Sequence, residues 1–183
     1  MIELPFGSEF SPSQIDLAIA LEICKDNEGN RDAVEAAILN RFFLTHGHGN
    51  EKNRQKLAMN CRLGLKNYGI LDEACNFTPL GTELYMQRMQ KEKMYETFAR
   101  HILLNLSGMA FVQCIRDMQT ALQKVTLETL KPELEIRGIT YPSAGKHPSI
   151  MRLWLEQAGV FSSKWNIHND RVREILGDED RME

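Results

Sequence analysis

The chain has 183 residues, a hydrophobic fraction of 43%, a charged fraction of 26% and a net charge of −3. This is enough chain for one substantial core, or for two small subdomains sharing one, and the composition is that of an ordinary globular protein. The acidic balance argues against a generic nucleic-acid binder, and no apolar run approaches the ~18 residues of a membrane span.

The sequence predicts a mainly helical chain. Ser11-Pro12-Ser13 opens a segment in which Ile15, Ile19 and Ile23 recur at four-residue spacing, and Gly29 closes it. Asn30 is placed to cap a second helix with Val34, Ala37, Ile38 and Phe42 on its apolar stripe. After the loop Thr45–Asn50, a third helix is predicted over 52–67, with Leu57, Cys61, Leu65 and Tyr68 inward. Residues 69–81 read as a small hairpin, from which Thr78 and Pro79 start another helix. Helices over 91–106 and 109–124 follow, broken near Gly108, with Met94, Phe98, Ile102, Phe111, Ile115, Met118 and Leu122 on their apolar faces. A shorter one between Thr126 and Arg137 is interrupted by Pro132; the next runs from Pro148 to Gln157, with Ile150, Trp154 and Leu155 in the core. A second hairpin over 160–167, in which Trp165 reads as packing, and a final helix over 171–176 complete the chain.

The order helix, turn, helix, hairpin therefore occurs around 51–80 and again around 126–168, and resembles winged-helix units. The expected fold is mainly α, with winged-helix-like elements and two small β-hairpins. It is read as a single domain over 1–183. An N-terminal helical and winged part spans 1–90, a C-terminal winged-helix-like part spans 91–177, and 178–183 form an acidic tail.

Charge is segregated along the chain. Residues 1–40 carry eight acids against Lys25 and Arg31. Residues 41–66 carry Arg41, Lys52, Arg54, Lys56, Arg62 and Lys66 against Glu51; residues 137–173 carry Arg137, Lys146, Arg152, Lys164, Arg171 and Arg173 against Glu156 and Asp170. Two basic islands in an acidic chain fit one-sided contact with a polyanion, or solvated helix faces that never meet. Cys24, Cys61, Cys75 and Cys114 form no CxxC pair and read as buried, reduced thiols of a cytoplasmic protein, whose acidic amino terminus lacks the basic start of a secretory signal. His46-x-His48 has no recognised metal spacing and reads as a pair of loop residues or phosphate contacts. No nucleophile elbow, P-loop, dinucleotide fingerprint or zinc-protease motif occurs, so neither catalysis nor a cofactor is expected. Of the pair Arg100-His101, adjacent helix positions allow only one to face the core.

The densest signal is Tyr141-Pro142-Ser143-Ala144-Gly145-Lys146-His147-Pro148-Ser149, leading into Ile150–Glu156. Pro142 and Pro148 fix φ and remove two backbone donors, and Gly145 permits a tight turn. His147 or Ser149 is placed to cap the helix that follows, while Lys146, His147 and Arg152 put positive charge near its anion-attracting end.

Together with Met151-Arg152-x-Trp154-Leu155-Glu156-x-Ala158-Gly159 and Phe98–Leu106, this loop resembles the sulfur-binding domains of type IV, McrA-like restriction proteins. The resemblance implies recognition of double-stranded DNA carrying phosphorothioate linkages, with a nuclease domain or partner as effector. It assigns a sulfur pocket to Tyr141, Pro142, Ser143, Ala144 and Gly145. Arg100 and His101 follow as DNA contacts, beside Lys146, His147, Ser149, Arg152, Lys56, Arg62, His46 and His48 from the basic islands and the histidine loop. No Cys-rich nuclease segment follows residue 170, so cleavage does not carry over. The loop's own chemistry agrees: sulfur is larger, more polarisable and a poorer hydrogen-bond acceptor than oxygen, so proline ring carbons and an alanine methyl favour it. A winged-helix regulator of unmodified DNA and a protein-interaction module fit the same residues, the latter through the acidic amino third and tail.

Overall fold

In the computed structural model, which describes residues 1–45 and 49–177, five helices begin at a side chain that accepts a hydrogen bond from the first turn. The chain divides into two compact units, one of Pro5–Met94 and one of Met1–Leu4 with Tyr95 onward. Among the described residues there are nine α-helices and two small strand pairs. The fold is mainly helical.

In the unit of Pro5–Met94, α1 (Leu17–Asp26) starts at Asp16, whose Oδ1 accepts from the Ile19 amide at 3.2 Å. Its buried face is Leu17, Ala20, Leu21 and Cys24. Of the isoleucines expected as a stripe, Ile15 is buried just before the helix, while Ile19 and Ile23 are half-buried beside the core face. Asn30 caps α2 (Arg31–Ile38) as expected, accepting from Ala33 at 3.1 Å. A π-helical turn over Leu39–Phe43 then widens the spiral. The wider turn moves the apolar stripe on by one residue, which buries Phe43 and leaves Phe42 half-buried. In α3 (Glu51–Asn67), capped by Asn50, Ala58, Cys61 and Leu65 are buried, with Tyr68 just beyond. The turn after it is organised by Asp72, whose Oδ1 accepts from Ala74 and Asn76, both at 2.9 Å. The hairpin expected there closes through one bridge, Leu71 to Phe77. Thr78 caps α4 (Pro79–Gln87), accepting from Gly81 at 3.1 Å.

The second unit takes most of α5 (Lys91–Asn105), whose Phe98 and Ile102 are buried. α6 (Gly108–Thr120) starts after Ser107, which adopts a left-handed φ of 64° and so breaks the run where expected. Phe111, Ile115 and Met118 are buried, but Leu122 lies beyond the helix end at φ 59° and is 94% exposed, against its expected place inside. α7 (Leu127–Ile136) has a capping box of Thr126 and Thr129. It is not interrupted at Pro132, which sits in its second turn. As the sixth helical residue it forfeits the bond its amide would make to the Glu128 carbonyl, and the helix runs on to Ile136.

α7 leads to β2 (Ile139–Thr140), which pairs in parallel with β1 (Ile2–Glu3) in the register Ile2–Ile139 and Glu3–Thr140. α8 (His147–Gln157) follows the loop, and the antiparallel pair β3 (Phe161–Ser162) and β4 (Asn166–Ile167) forms the second hairpin where expected. α9 is Asn169–Leu176. An aromatic cluster holds this unit together: Trp154 lies edge-on to Phe98 at 5.3 Å, and Trp165 packs against Phe111 and Phe161 at 6.2 and 6.3 Å. All four cysteines are buried free thiols, and burial pushes Cys24 up to about 12. Among the described residues no single helix is long and apolar enough to cross a membrane.

Candidate nucleic-acid interface

The loop of interest is built from β2 outwards. β1 holds β2 by hydrogen bonds from the Ile2 amide to the Gly138 carbonyl (2.8 Å) and from the Leu4 amide to the Thr140 carbonyl (3.0 Å), with Leu4 buried. The next residue, Tyr141, is 6% exposed, and its ring stacks on His147 with centroids 6.0 Å apart. The chain then turns: the Gly145 amide donates to the Pro142 carbonyl at 2.8 Å. This leaves Pro142, Ser143 and Ala144 exposed at the tip, followed by an exposed Lys146. Gly145 is required by close approach, not by φ. A Cβ there would lie 2.6 Å from His147 Cε1, closer still to Nδ1, and 3.0 Å from the Pro142 carbonyl oxygen.

α8 begins without a side-chain cap. Lys146 occupies the capping position and its carbonyl accepts from Ile150, so neither His147 nor Ser149 caps the helix as expected. His147 is 4% exposed, and burial holds its pKa below the ordinary histidine value, with Glu3 opposing and Lys131 reinforcing that shift. Burial thus disfavours the positive charge expected of His147, whose ring walls in Tyr141 and Gly145.

Behind the tip lies a cavity of about 360 Å³, lined by Leu127, Glu128, Lys131 and Pro132 of α7 and by Tyr141, Ser143 and Gly145 of the loop. Pro142 and Ala144 stand out at the exposed tip beside it. Lys131 is the site residue that sequence reading missed. Its ammonium donates to the Tyr141 carbonyl, pairs with Glu135 at 3.2 Å, and sits 4.3 Å from the centroid of the Tyr141 ring. It stands ten residues before Tyr141 on a different element, and no local motif points to it.

Folding pairs part of each basic island with acids. Arg62 pairs with Glu35 at 2.7 Å with only 11% of its side chain exposed, and Lys66 pairs with Glu73. Arg137 meets Asp117 and Glu133, Arg171 meets Glu96 and Glu174, and Arg173 meets Asp170. Arg152 pairs with Glu156 at 2.9 Å and lies over the Trp165 ring. Arg62 and Arg152, expected as phosphate contacts, thus each hold a carboxylate within the fold. Arg100 is half-buried and donates to the carbonyls of Ile175 and Leu176 at 3.0 and 3.1 Å, closing the end of α9. His101, also half-buried, hydrogen-bonds Asn105 at 3.2 Å, so this pair does not divide into one core and one surface residue. Ser149 is half-buried in the first turn of α8. Lys56 and Lys146 are exposed and form no ion pair among the described residues. Lys56 belongs to the other unit from the loop. His46 and His48 lie outside the described residues.

Arg62→Ala tests the pair with Glu35. It leaves Glu35 without its cation at a site where Arg62 is mostly buried, and is expected to cost ~1–3 kcal/mol of stability, discounted for the partial exposure of Glu35. Urea unfolding checks this, and an unaltered stability would show that the pair with Glu35 does not hold the fold.

Among the described residues no group of three or more His, Cys, Asp or Glu side chains is arranged to hold a metal ion. No protein-family model matches the sequence, no curated protein is significantly similar to it, and no solved structure is significantly similar to its fold.

Proposed function

We propose that this chain binds double-stranded DNA carrying phosphorothioate linkages through the loop Tyr141–Gly145, as the reading module of a modification-dependent restriction system whose nuclease lies in another domain or partner. The observation that carries this reading is the apolar surface at the tip. Pro142 has no amide hydrogen, the Gly145 amide is already spent on the Pro142 carbonyl, and the exposed tip offers a proline ring and an alanine methyl on either side of Ser143. A non-bridging oxygen pressed against such a surface loses water without regaining its hydrogen bonds, at a cost of ~1–3 kcal/mol. Sulfur, more polarisable and less strongly hydrated, loses much less. The difference corresponds to on the order of 10–100-fold in affinity. Lys146 beside the tip supplies charge for flanking phosphates.

Titrating one duplex with and without a single phosphorothioate, in several sequence contexts, tests the proposal. Binding to the modified duplex is expected to be at least about tenfold tighter. Equal affinity would favour a winged-helix binder of unmodified DNA, and no binding to either duplex at low salt would favour a protein-interaction module.

A further inference from the structure

We infer that Lys131 is the cation that seats the modified phosphate, so that the loop tip reads sulfur while α7 reads charge. The inference rests on the phosphorothioate reading above and assigns the charge-reading half of that site. Lys131 lines the cavity directly beside Tyr141, Ser143 and Gly145. Its side chain is 25% exposed and its ammonium is fixed from three directions, by the Tyr141 carbonyl, the Glu135 carboxylate and the Tyr141 ring. An ammonium has three N–H donors, and two oxygen acceptors leave one to spend. The lysine therefore has little side-chain freedom left to lose when an anion arrives, in contrast to exposed Lys146, whose attraction is screened by salt.

The same cavity carries an opposing charge. The Glu128 carboxylate lines it, and Glu135 already offsets Lys131, while burial disfavours a charge on His147. With one cation against two carboxylates, this region does not concentrate anions indiscriminately. A phosphorothioate diester adds its one negative charge where Lys131 meets it, and Glu128 sets a limit on affinity that can be removed by mutation.

Three duplexes that differ at one linkage separate the two halves: phosphate, phosphorothioate, and methylphosphonate, which places an apolar methyl against the tip and carries no charge. The wild-type chain is expected to bind the phosphorothioate about tenfold more tightly than the methylphosphonate. Lys131→Met, which keeps the apolar stem, should lower phosphorothioate affinity about tenfold and bring the two within about twofold, with the preference over phosphate retained. Lys131→Arg should restore most of the charge discrimination, and Glu128→Gln should tighten phosphorothioate binding about two- to threefold with methylphosphonate binding unchanged. Should Lys131→Met melt far below wild type, the arginine and glutamine variants carry the test. Undiminished charge discrimination in Lys131→Met, or equal loss on both modified duplexes, overturns the role of Lys131. A wild-type chain that does not distinguish phosphorothioate from phosphate overturns instead the reading on which this inference rests.

Discussion

Gly145→Ala is expected to reduce binding of phosphorothioate DNA by tenfold or more and to lower stability by ~1–3 kcal/mol, the usual cost of forcing a methyl into filled space. The new Cβ would fall within 2.6 Å of the His147 ring and 3.0 Å of the Pro142 carbonyl. His147 cannot yield easily. It is buried, its ring is stacked on Tyr141, and its backbone is pinned at the start of α8 beside Pro148. Relief has to come from the loop, by opening the turn that the Gly145 amide closes on Pro142. Opening it releases an amide donor at the tip and displaces Pro142 and Ala144, so the selective surface is lost along with its geometry. Thermal melting and paired-duplex titration measure the two effects. Wild-type affinity together with a wild-type melting temperature would show that the turn does not set the site.

Trp154→Ala is expected to have the largest effect on stability, a loss of ~3–5 kcal/mol. The indole is 1% exposed, edge-on to Phe98 at 5.3 Å and 6.5 Å from Tyr95. It anchors the middle of α8 to α5, while the other end of α8 supplies His147 to the loop wall. Removing it leaves a void in the cluster that seats α8, so the site should loosen before the unit unfolds. Urea titration followed by circular dichroism would check this, and a loss below about 1 kcal/mol would mean that α8 is held chiefly by other contacts.

What could be read in advance follows the range of the interactions. Asn30, Thr78 and Thr126 start helices because a side-chain oxygen three residues from an amide is a local device, visible in a few letters. The hairpin over 160–167 and the burial of Trp154 were legible for the same reason. The π-helical turn at Leu39–Phe43 was not, since nothing in an ordinary 3.6-residue periodicity signals an inserted residue, and Phe43 took the buried place expected for Phe42. Long-range pairing was invisible. The parallel union of β1 with β2, which steadies the loop from the other end of the chain, leaves no sequence signal, and neither does the contact of Lys131 with Tyr141. The partners of the basic islands were hidden for a related reason. Part of the charge clustered along the chain is paired in space, with Arg62 reaching Glu35 across 27 residues. Sequence blocks of charge describe a surface only when their partners lie elsewhere.

The claim that the loop tip distinguishes sulfur from oxygen is tested most directly by Pro142→Ala, measured as the ratio of affinities for one duplex with and without its phosphorothioate. The substitution removes most of the exposed ring, restores an amide donor and loosens the turn. Affinity for modified DNA should fall by ~1–2 kcal/mol, the worth of a few packed methylenes, while salt-sensitive binding of the plain duplex through Lys146 changes far less. The ratio should therefore collapse towards one. A folded Pro142→Ala protein that melts like wild type and keeps the wild-type ratio would show that sulfur is not read at this tip.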